Sequence, residues 1–138
     1  MSNELQTFNE QIITEFRANN GVVGGPFEGA PLLLLGTTGA KSGQPRINPL
    51  AYLDDSERLV IFASFAGADK HPPWYHNLIA TSQVTVEVGP DKYQAQASVV
   101  DEPDRSALYE RMVQAMPTFG EYREKTERVI PVVALSRN

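Results

Sequence analysis

Hydrophobic residues near the start of the chain recur at helical spacing between polar ones. They are Leu5, Phe8, Ile12, Ile13 and Phe16. This spacing predicts an amphipathic helix over residues 1–20, which the sequence Asn19-Asn20-Gly21 ends. A Gly-rich linker is predicted to follow over residues 21–31.

After the linker, apolar residues form short runs or alternate with polar ones, which is the pattern of β-strands. Strands are predicted at about 32–37, 46–53, 58–65, 84–88, 93–99 and 129–135. Pro49 indicates an edge strand or a bulge, because proline has no N–H to donate to a neighbouring strand. Two prolines predict a short helix at about Trp74, Pro103 opens a further helix that Pro117 ends, and residues 118–128 form a helical or turn segment.

These elements predict an α+β domain built on a small barrel of six mostly antiparallel strands. Helices stand at the start and before the last strand, and the 138 residues form one domain, 1–138, whose barrel spans 32–138. Closing the sheet hides the strand edges that would otherwise invite aggregation.

The composition of the chain argues against several classes of function. The net charge of −5 argues against nucleic acid as the main partner, and the absence of cysteine excludes disulfides and Cys-based metal sites. The start lacks the features of a signal peptide, and no apolar run approaches the length of a membrane span. The expected location is the cytoplasm.

Residues 36–50 form the stretch with the clearest chemistry. Lys41, Ser42 and Arg46 stand in or beside a turn through Gly39 and Gly43, and no Asp or Glu occurs from residue 29 to 53. Cations, a hydroxyl and closely approaching backbone N–H groups are what an anion needs, so the stretch predicts an anionic ligand. The alternative is a Gly-rich hairpin with two solvated cations. A P-loop is excluded, because no Gly directly precedes the lysine and no helix follows it.

Other polar groups suggest no independent chemistry. His71 and His76 are the only histidines, and neither their spacing nor a third ligand indicates a metal site. Ser64 ends a predicted strand without a Gly-x-Ser-x-Gly motif, so a hydrolase is not indicated.

Aromatic residues suggest what the anion is attached to. Trp74, the only tryptophan, is suited to form a flat apolar wall for a planar ring, although a packing role in the core is the common alternative. Phe119 and Tyr122, three residues apart, are placed to cover the same site or simply to pack. A planar ring with a phosphate tail describes a flavin-like cofactor, which carries the hydride chemistry itself.

Residues 33–50 and 63–78, together with Ile130-Pro131-Val132-Val133, resemble the deazaflavin-dependent nitroreductase family of actinobacteria. The resemblance implies a split β-barrel that uses coenzyme F420, a 5-deazaflavin with a tail of phosphate and glutamates. It also implies hydride transfer from the reduced deazaflavin to a quinone, a nitroaromatic or an activated enone.

The resemblance further implies a set of site residues. Lys41, Ser42 and Arg46 would hold the anionic tail, and Ser64 and Tyr122 are the candidate catalytic hydroxyls. Further cofactor contacts are implied at Ala40, Ile47, Asn48, Pro49, Phe62, Ala63, Ser64, Phe65, Pro73, Trp74, Tyr75, His76, Asn77 and Phe119. No metal is implied.

The chain differs from the best-known nitro-reducing member at several of these positions. That member has Arg, Tyr, Lys, Tyr and Tyr where this chain has Ala40, Ala51, Phe65, Met116 and Phe119. A pocket with fewer hydroxyls is more apolar, so a hydrophobic quinone or enone is the expected acceptor.

Two alternatives remain open at this point. One is a split-barrel oxidoreductase that uses FMN, and the other is a non-catalytic F420-binding or carrier protein. The protein is expected to be a monomer or a homodimer. The N-terminal helix is a candidate for contact with the inner face of the cell membrane.

Overall fold

The structure, a computed structural model, describes residues 2–19, 21, 31–55, 58–64 and 70–137, with side chains from residue 10 onward in these ranges. Most of the predicted linker, residues 22–30, lies outside the described residues. So do Phe65 and the loop residues 66–69.

Helices lie where the periodicity predicts them. They are α1 (Ser2–Ala18), α2 (Pro73–Ala80), α3 (Asp104–Ala115) and α4 (Thr118–Lys125). Proline occupies the first position of α2, where the missing N–H would have had no partner within the helix. Pro117 separates α3 from α4, as expected for a residue that cannot continue a helix.

Seven strands form one antiparallel sheet. They are β1 (Leu32–Thr38), β2 (Pro45–Ala51), β3 (Leu53–Asp55), β4 (Arg58–Phe62), β5 (Gln83–Val88), β6 (Asp91–Val99) and β7 (Val132–Arg137), in the spatial order β2-β1-β5-β6-β7-β4-β3. Pro49 lies in β2, which is an edge strand, so the prediction from its missing N–H is confirmed.

Tyr52 lies where the two edges of the curled sheet meet. It is the single residue between β2 and β3, which occupy opposite edges of the seven-stranded order. One residue spans only about 3.5 Å, so the two edges must come together. The result is the half-barrel expected of a split β-barrel, and the predicted α+β fold class is confirmed. The sheet has seven strands where about six were predicted, because residues 45–55 divide at this bend.

The barrel interior is filled from five strands and one helix. Its buried residues are Leu33, Leu35, Ile61, Ala63, Trp74, Leu78, Val84, Val86, Ala95, Ala97, Val133 and Leu135. Side chains alternate between the two faces of a strand, so Leu32 and Leu34 point to the outside of β1. There they pack against Ile12 and Phe16 of α1. Because β1 is covered on both sides, its sequence is continuously apolar rather than alternating.

A second apolar cluster lies between the sheet and helices α3 and α4. It contains Val60, Phe62, Val100, Leu108, Tyr109, Met112, Phe119, Ile130, Val132 and Ala134. The Tyr109 hydroxyl donates to the carbonyl of Phe119 at 2.7 Å, which fixes α4 against α3. Strands β4 and β7 therefore have an apolar layer on each face.

Two strand boundaries differ from the prediction by three residues. Strand β4 ends at Phe62 rather than residue 65, and β7 begins at Val132 rather than residue 129. Val129 is 66% exposed, although its side chain favours strands. The two boundaries are linked, because Phe62 pairs with Val132 and the ladder between β4 and β7 ends at that pair.

Candidate functional site

A cleft of about 940 Å³ opens where three parts of the chain meet. Its walls are the turn between β1 and β2 with the start of β2, residues 70–77 around the start of α2, and one turn of α1. A cleft of this size accommodates a large organic ligand. The cleft is therefore the candidate for the predicted site of an anion and a planar ring.

The turn from Gly39 to Gln44 is held by its own hydrogen bonds. The Gly39 N–H donates to the Gln44 carbonyl at 2.8 Å, and the Gly43 N–H donates to the Gly39 carbonyl at 2.9 Å. The Ser42 hydroxyl accepts from the Gln44 N–H at 3.2 Å. Gly43 has a φ of 71°, a conformation that favours glycine. The turn is thereby closed, and it presents the side chain of Lys41 outward.

Asn77 attaches this turn to helix α2. Its Oδ1 accepts from the Ala40 N–H at 2.9 Å, and its Nδ2 donates to the Thr37 hydroxyl at 3.1 Å. The side chains of Asn77 and Thr37 are both buried. Both the oxygen and the nitrogen of the amide are thus bonded within the protein. These bonds hold the turn and helix α2, the two main walls of the cleft, at a fixed distance from each other.

Trp74 belongs to both the core and the cleft. It lies in the first turn of α2, is 4% exposed, and packs in the barrel interior with Leu78. It is also one of the residues that line the cleft. The two interpretations offered for this residue, a core residue and a wall of the site, therefore describe the same side chain.

The cleft is positively charged in an acidic protein. Its lining includes three cations, Lys41, Arg46 and Lys70, against one carboxylate, Glu10. In the part of the chain that the structure describes, none of the three cations is in a salt bridge. Lys41 and Arg46 are exposed, so they are available to an anionic ligand.

His71 also lines the cleft, and its environment opposes a positive charge. Burial lowers the pKa of its imidazole, and the positive charge of Arg128 lowers it further. The ring is therefore neutral at pH 7. Among the residues that the structure describes, no three carboxylates or histidines are grouped as metal ligands.

The structure brings together ten of the residues that the sequence analysis assigned to the site. They are Ala40, Lys41, Ser42, Arg46, Ile47, Asn48, Pro73, Trp74, His76 and Asn77. Pro49 follows them in β2, and Tyr75 follows Trp74 in α2, with its ring 4.7 Å from that of His71.

Five other assigned residues lie away from the cleft lining. Phe62 and Ala63 are buried on opposite faces at the end of β4, and Ser64 beside them is 6% exposed. Phe119 and Tyr122 pack together, with ring centres 5.3 Å apart, in the cluster under α3 and α4. Phe119 also contacts Phe62, at 5.8 Å between ring centres, so packing accounts for its position.

Several residues of the cleft lining were not among the contacts assigned from the sequence, although Gly39 and Pro45 lie in the stretch that was predicted to bind an anion. They are Glu10, Ile13, Gly39, Pro45, Lys70 and His71. Lys70 and His71 come just before α2 and belong to the same wall of the cleft. Their position in the sequence next to Trp74 could have identified them. Glu10 and Ile13 come from α1, and no pattern in the sequence placed that helix at the cleft.

Replacing Gly39 by alanine is expected to destabilise the turn from Gly39 to Gln44. A Cβ atom there would lie 2.6 Å from the Ser42 Oγ and 3.3 Å from the Gln44 carbonyl. The hydroxyl must move and lose its bond to the Gln44 N–H, at a cost of about 1 kcal/mol in unfolding free energy. Urea unfolding measures that cost. Gly43→Asn is the control, because a Cβ atom there meets no atom within 4 Å and Asn tolerates positive φ. Equal losses in the two variants would contradict the expected clash.

Comparison with known proteins gives a consistent result. Residues 9–137 match the family model described as F420H(2)-dependent quinone reductase. An F420H(2)-dependent quinone reductase of Mycobacterium tuberculosis is 40% identical over 126 residues, which are 88% of this chain and 85% of that protein.

Two solved structures are also similar. An F420-H2 dependent reductase superposes with a TM-score of 0.71 and 36% identity, over 77% of this chain and 94% of that one. A protein described as a domain-swapped dimer superposes with a TM-score of 0.73 and 31% identity, over 99% of this chain and all of that one (100%).

Proposed function

The chain belongs to the F420H(2)-dependent quinone reductase family, and from that premise we propose that its cleft binds coenzyme F420 and directs hydride transfer to a quinone. The observation that carries the assignment of the site is the positively charged cleft beside Trp74. It combines cations that are in no salt bridge among the described residues with an apolar wall, which suits a ligand with an anionic tail and a planar ring.

The donor set fits the cofactor. Lys41 and Arg46 would hold the phosphate and glutamates of the tail, with the Ser42 hydroxyl and Lys70 beside them. Trp74 and Ile47 supply apolar surface for the ring. Asn48, which lines the cleft, and Pro49, which follows it in β2, would lie beside that ring. When bound, reduced F420 supplies the hydride.

The protein's own residues orient the ligands and exclude water. The hydrogen bonds of Asn77 hold the turn at a fixed distance from α2. Ile13, Ile47 and Trp74 provide an apolar lining that limits access of water to the reacting atoms. Few catalytic side chains are required, because the chemistry resides in the cofactor.

A proton must accompany the hydride to form a hydroquinone, and solvent or a hydroxyl supplies it. Of the two hydroxyls suggested by the resemblance, neither belongs to a residue that lines the cleft, and Ser64 is the one whose backbone is connected to a cleft residue. Its carbonyl accepts a bond from Arg128, which also contacts the cleft residue His71. Tyr122 packs on Phe119 outside the cleft lining.

We also propose a homodimer, because one of the similar structures is described as a domain-swapped dimer. Light scattering on the purified protein measures the mass directly. Contact with a membrane has less support: Ile12 and Phe16 of α1 are buried against Leu32 and Leu34. Among the described residues, no helix is long and apolar enough to cross a membrane.

The test uses Trp74, the only tryptophan, as its probe. Titration with F420 is expected to quench its fluorescence saturably, whereas FMN should bind more weakly or not at all. Trp74→Phe is the control for the signal. Tight binding of FMN with no quenching by F420 would overturn the proposal. A second measurement follows the oxidation of reduced F420 by a naphthoquinone, and binding without any acceleration would indicate a carrier protein.

A further inference from the structure

Arg128 joins two separate parts of the chain at the rim of the cleft. It lies between α4 and β7, and its Nη2 donates to the carbonyls of Ala63 at 3.0 Å and Ser64 at 2.8 Å. Its Nη1 lies 3.0 Å from the Nδ1 of His71. The guanidinium therefore connects the end of β4 to the segment that leads into α2.

This contact fixes the state of the His71 ring. A guanidinium has only donors and does not lose its proton in proteins, so the Nδ1 of His71 must be the acceptor. The ring is then neutral and carries its one proton on Nε2. His71 itself lines the cleft, and with Nδ1 occupied, the Nε2–H is the polar group that remains.

The other groups around the ring support the neutral form. Among the described residues, the titratable side chains packed near His71 are Arg128, His76 and Tyr75, with Lys70 beside it in the cleft lining. The positive charges of this set disfavour a further charge on the imidazole. Burial acts in the same direction on the pKa of His71.

We propose that His71 donates its Nε2–H to an oxygen atom of the ligand in the cleft, and that Arg128 is the positioning residue that holds it in this tautomer. The proposal rests on the proposed function, because the ligand is either the deazaflavin or the quinone. Both carry oxygen acceptors, and the experiment below distinguishes them. A neutral imidazole is a poor proton donor but a good hydrogen-bond donor, so His71 would orient and polarise an oxygen without titrating.

The first measurement is the ¹⁵N NMR spectrum of the histidine rings in the protein without ligand. We expect His71 to show an unprotonated Nδ1 and a protonated Nε2 at pH 7, with His76→Gln used for assignment. In Arg128→Met the pKa of His71 should rise, and the ring should populate both tautomers. A wild-type ring that is protonated on Nδ1 at pH 7 would overturn the proposal without any variant.

The second measurement compares two substitutions of His71. Asn places an amide oxygen near the position of Nδ1 and keeps the contact with Arg128, but it lacks a donor toward the cleft. Gln places an N–H near the position of Nε2 and keeps that donor. We expect His71→Asn to lose about 3- to 10-fold in affinity, as for one neutral hydrogen bond, and His71→Gln to retain most of it.

The ligand that is affected identifies the oxygen. A weaker F420 titration assigns it to the cofactor, whereas unchanged F420 binding with a raised KM or lowered kcat for the quinone assigns it to the acceptor. If His71→Asn matches the wild type in both measurements, the donor role is wrong. If the wild type does not bind F420 at all, the proposed function fails and the donor role fails with it, while the NMR spectrum still decides the tautomer.

Discussion

Replacing both Lys41 and Arg46 by alanine is expected to weaken F420 binding about 100-fold. Both side chains are exposed at the cleft, and neither is in a salt bridge among the described residues. A hydrogen bond to a charged group contributes about 1.5–3 kcal/mol, and exposure favours the lower end of that range. Two such losses amount to about 3 kcal/mol, or about two factors of ten in the dissociation constant.

Fluorescence titration at low and high salt measures this effect. Screening should weaken wild-type binding as the salt concentration rises, and the double variant should lose most of that dependence. Lys125→Ala is the control, because it removes an exposed cation in α4 that does not line the cleft. If the double variant and Lys125→Ala bind F420 equally well, the anionic tail does not lie along this turn.

Replacing Asn77 by alanine should lower the free energy of unfolding by about 2–3 kcal/mol. The change leaves the Ala40 N–H and the Thr37 hydroxyl without the partners that hold them at 2.9 and 3.1 Å. Each bond contributes about 1 kcal/mol, and a buried group left without a partner costs more than the bond itself. The turn should also lose its fixed distance from α2, so F420 affinity should fall in the protein that remains folded.

Urea unfolding compares Asn77→Ala with Thr37→Val. The valine variant removes the bond to Nδ2 and leaves the bond from the Ala40 N–H intact, so it should cost about half as much and preserve F420 binding. Thermal unfolding with and without F420 then separates stability from affinity. A change below about 0.5 kcal/mol in Asn77→Ala would show that the turn does not depend on this amide.

Local patterns in the sequence were sufficient for most of the elements. The continuous apolar run of β1, the edge position of Pro49 and the start of α2 at Pro73 all follow from the backbone chemistry of a few adjacent residues. Strand ends were less predictable, because a β-branched residue such as Val129 favours strand even where no partner strand continues. The division of residues 45–55 at Tyr52 depends on closure of the whole sheet.

The candidate site was likewise predictable only where its residues are neighbours in the sequence. The cations and glycines of the turn are adjacent in the sequence, so their combination was visible there. The partners of that turn were not visible. Asn77 contacts Ala40 across 37 residues, and Arg128 contacts His71 across 57. No periodicity encodes such pairs, because they form only when distant segments pack.

By itself, the sequence determined the elements, the anion-binding composition of the turn and, through its motifs, the resemblance to F420-dependent enzymes. These are properties of neighbouring residues, since hydrophobic spacing and turn chemistry act over a few positions. Only the tertiary structure decided that α1 contributes Glu10 and Ile13 to the cleft, and that Phe119 packs away from it. Those outcomes depend on which surfaces the closed sheet leaves open, and the curvature that closes it arises from contacts between distant strands.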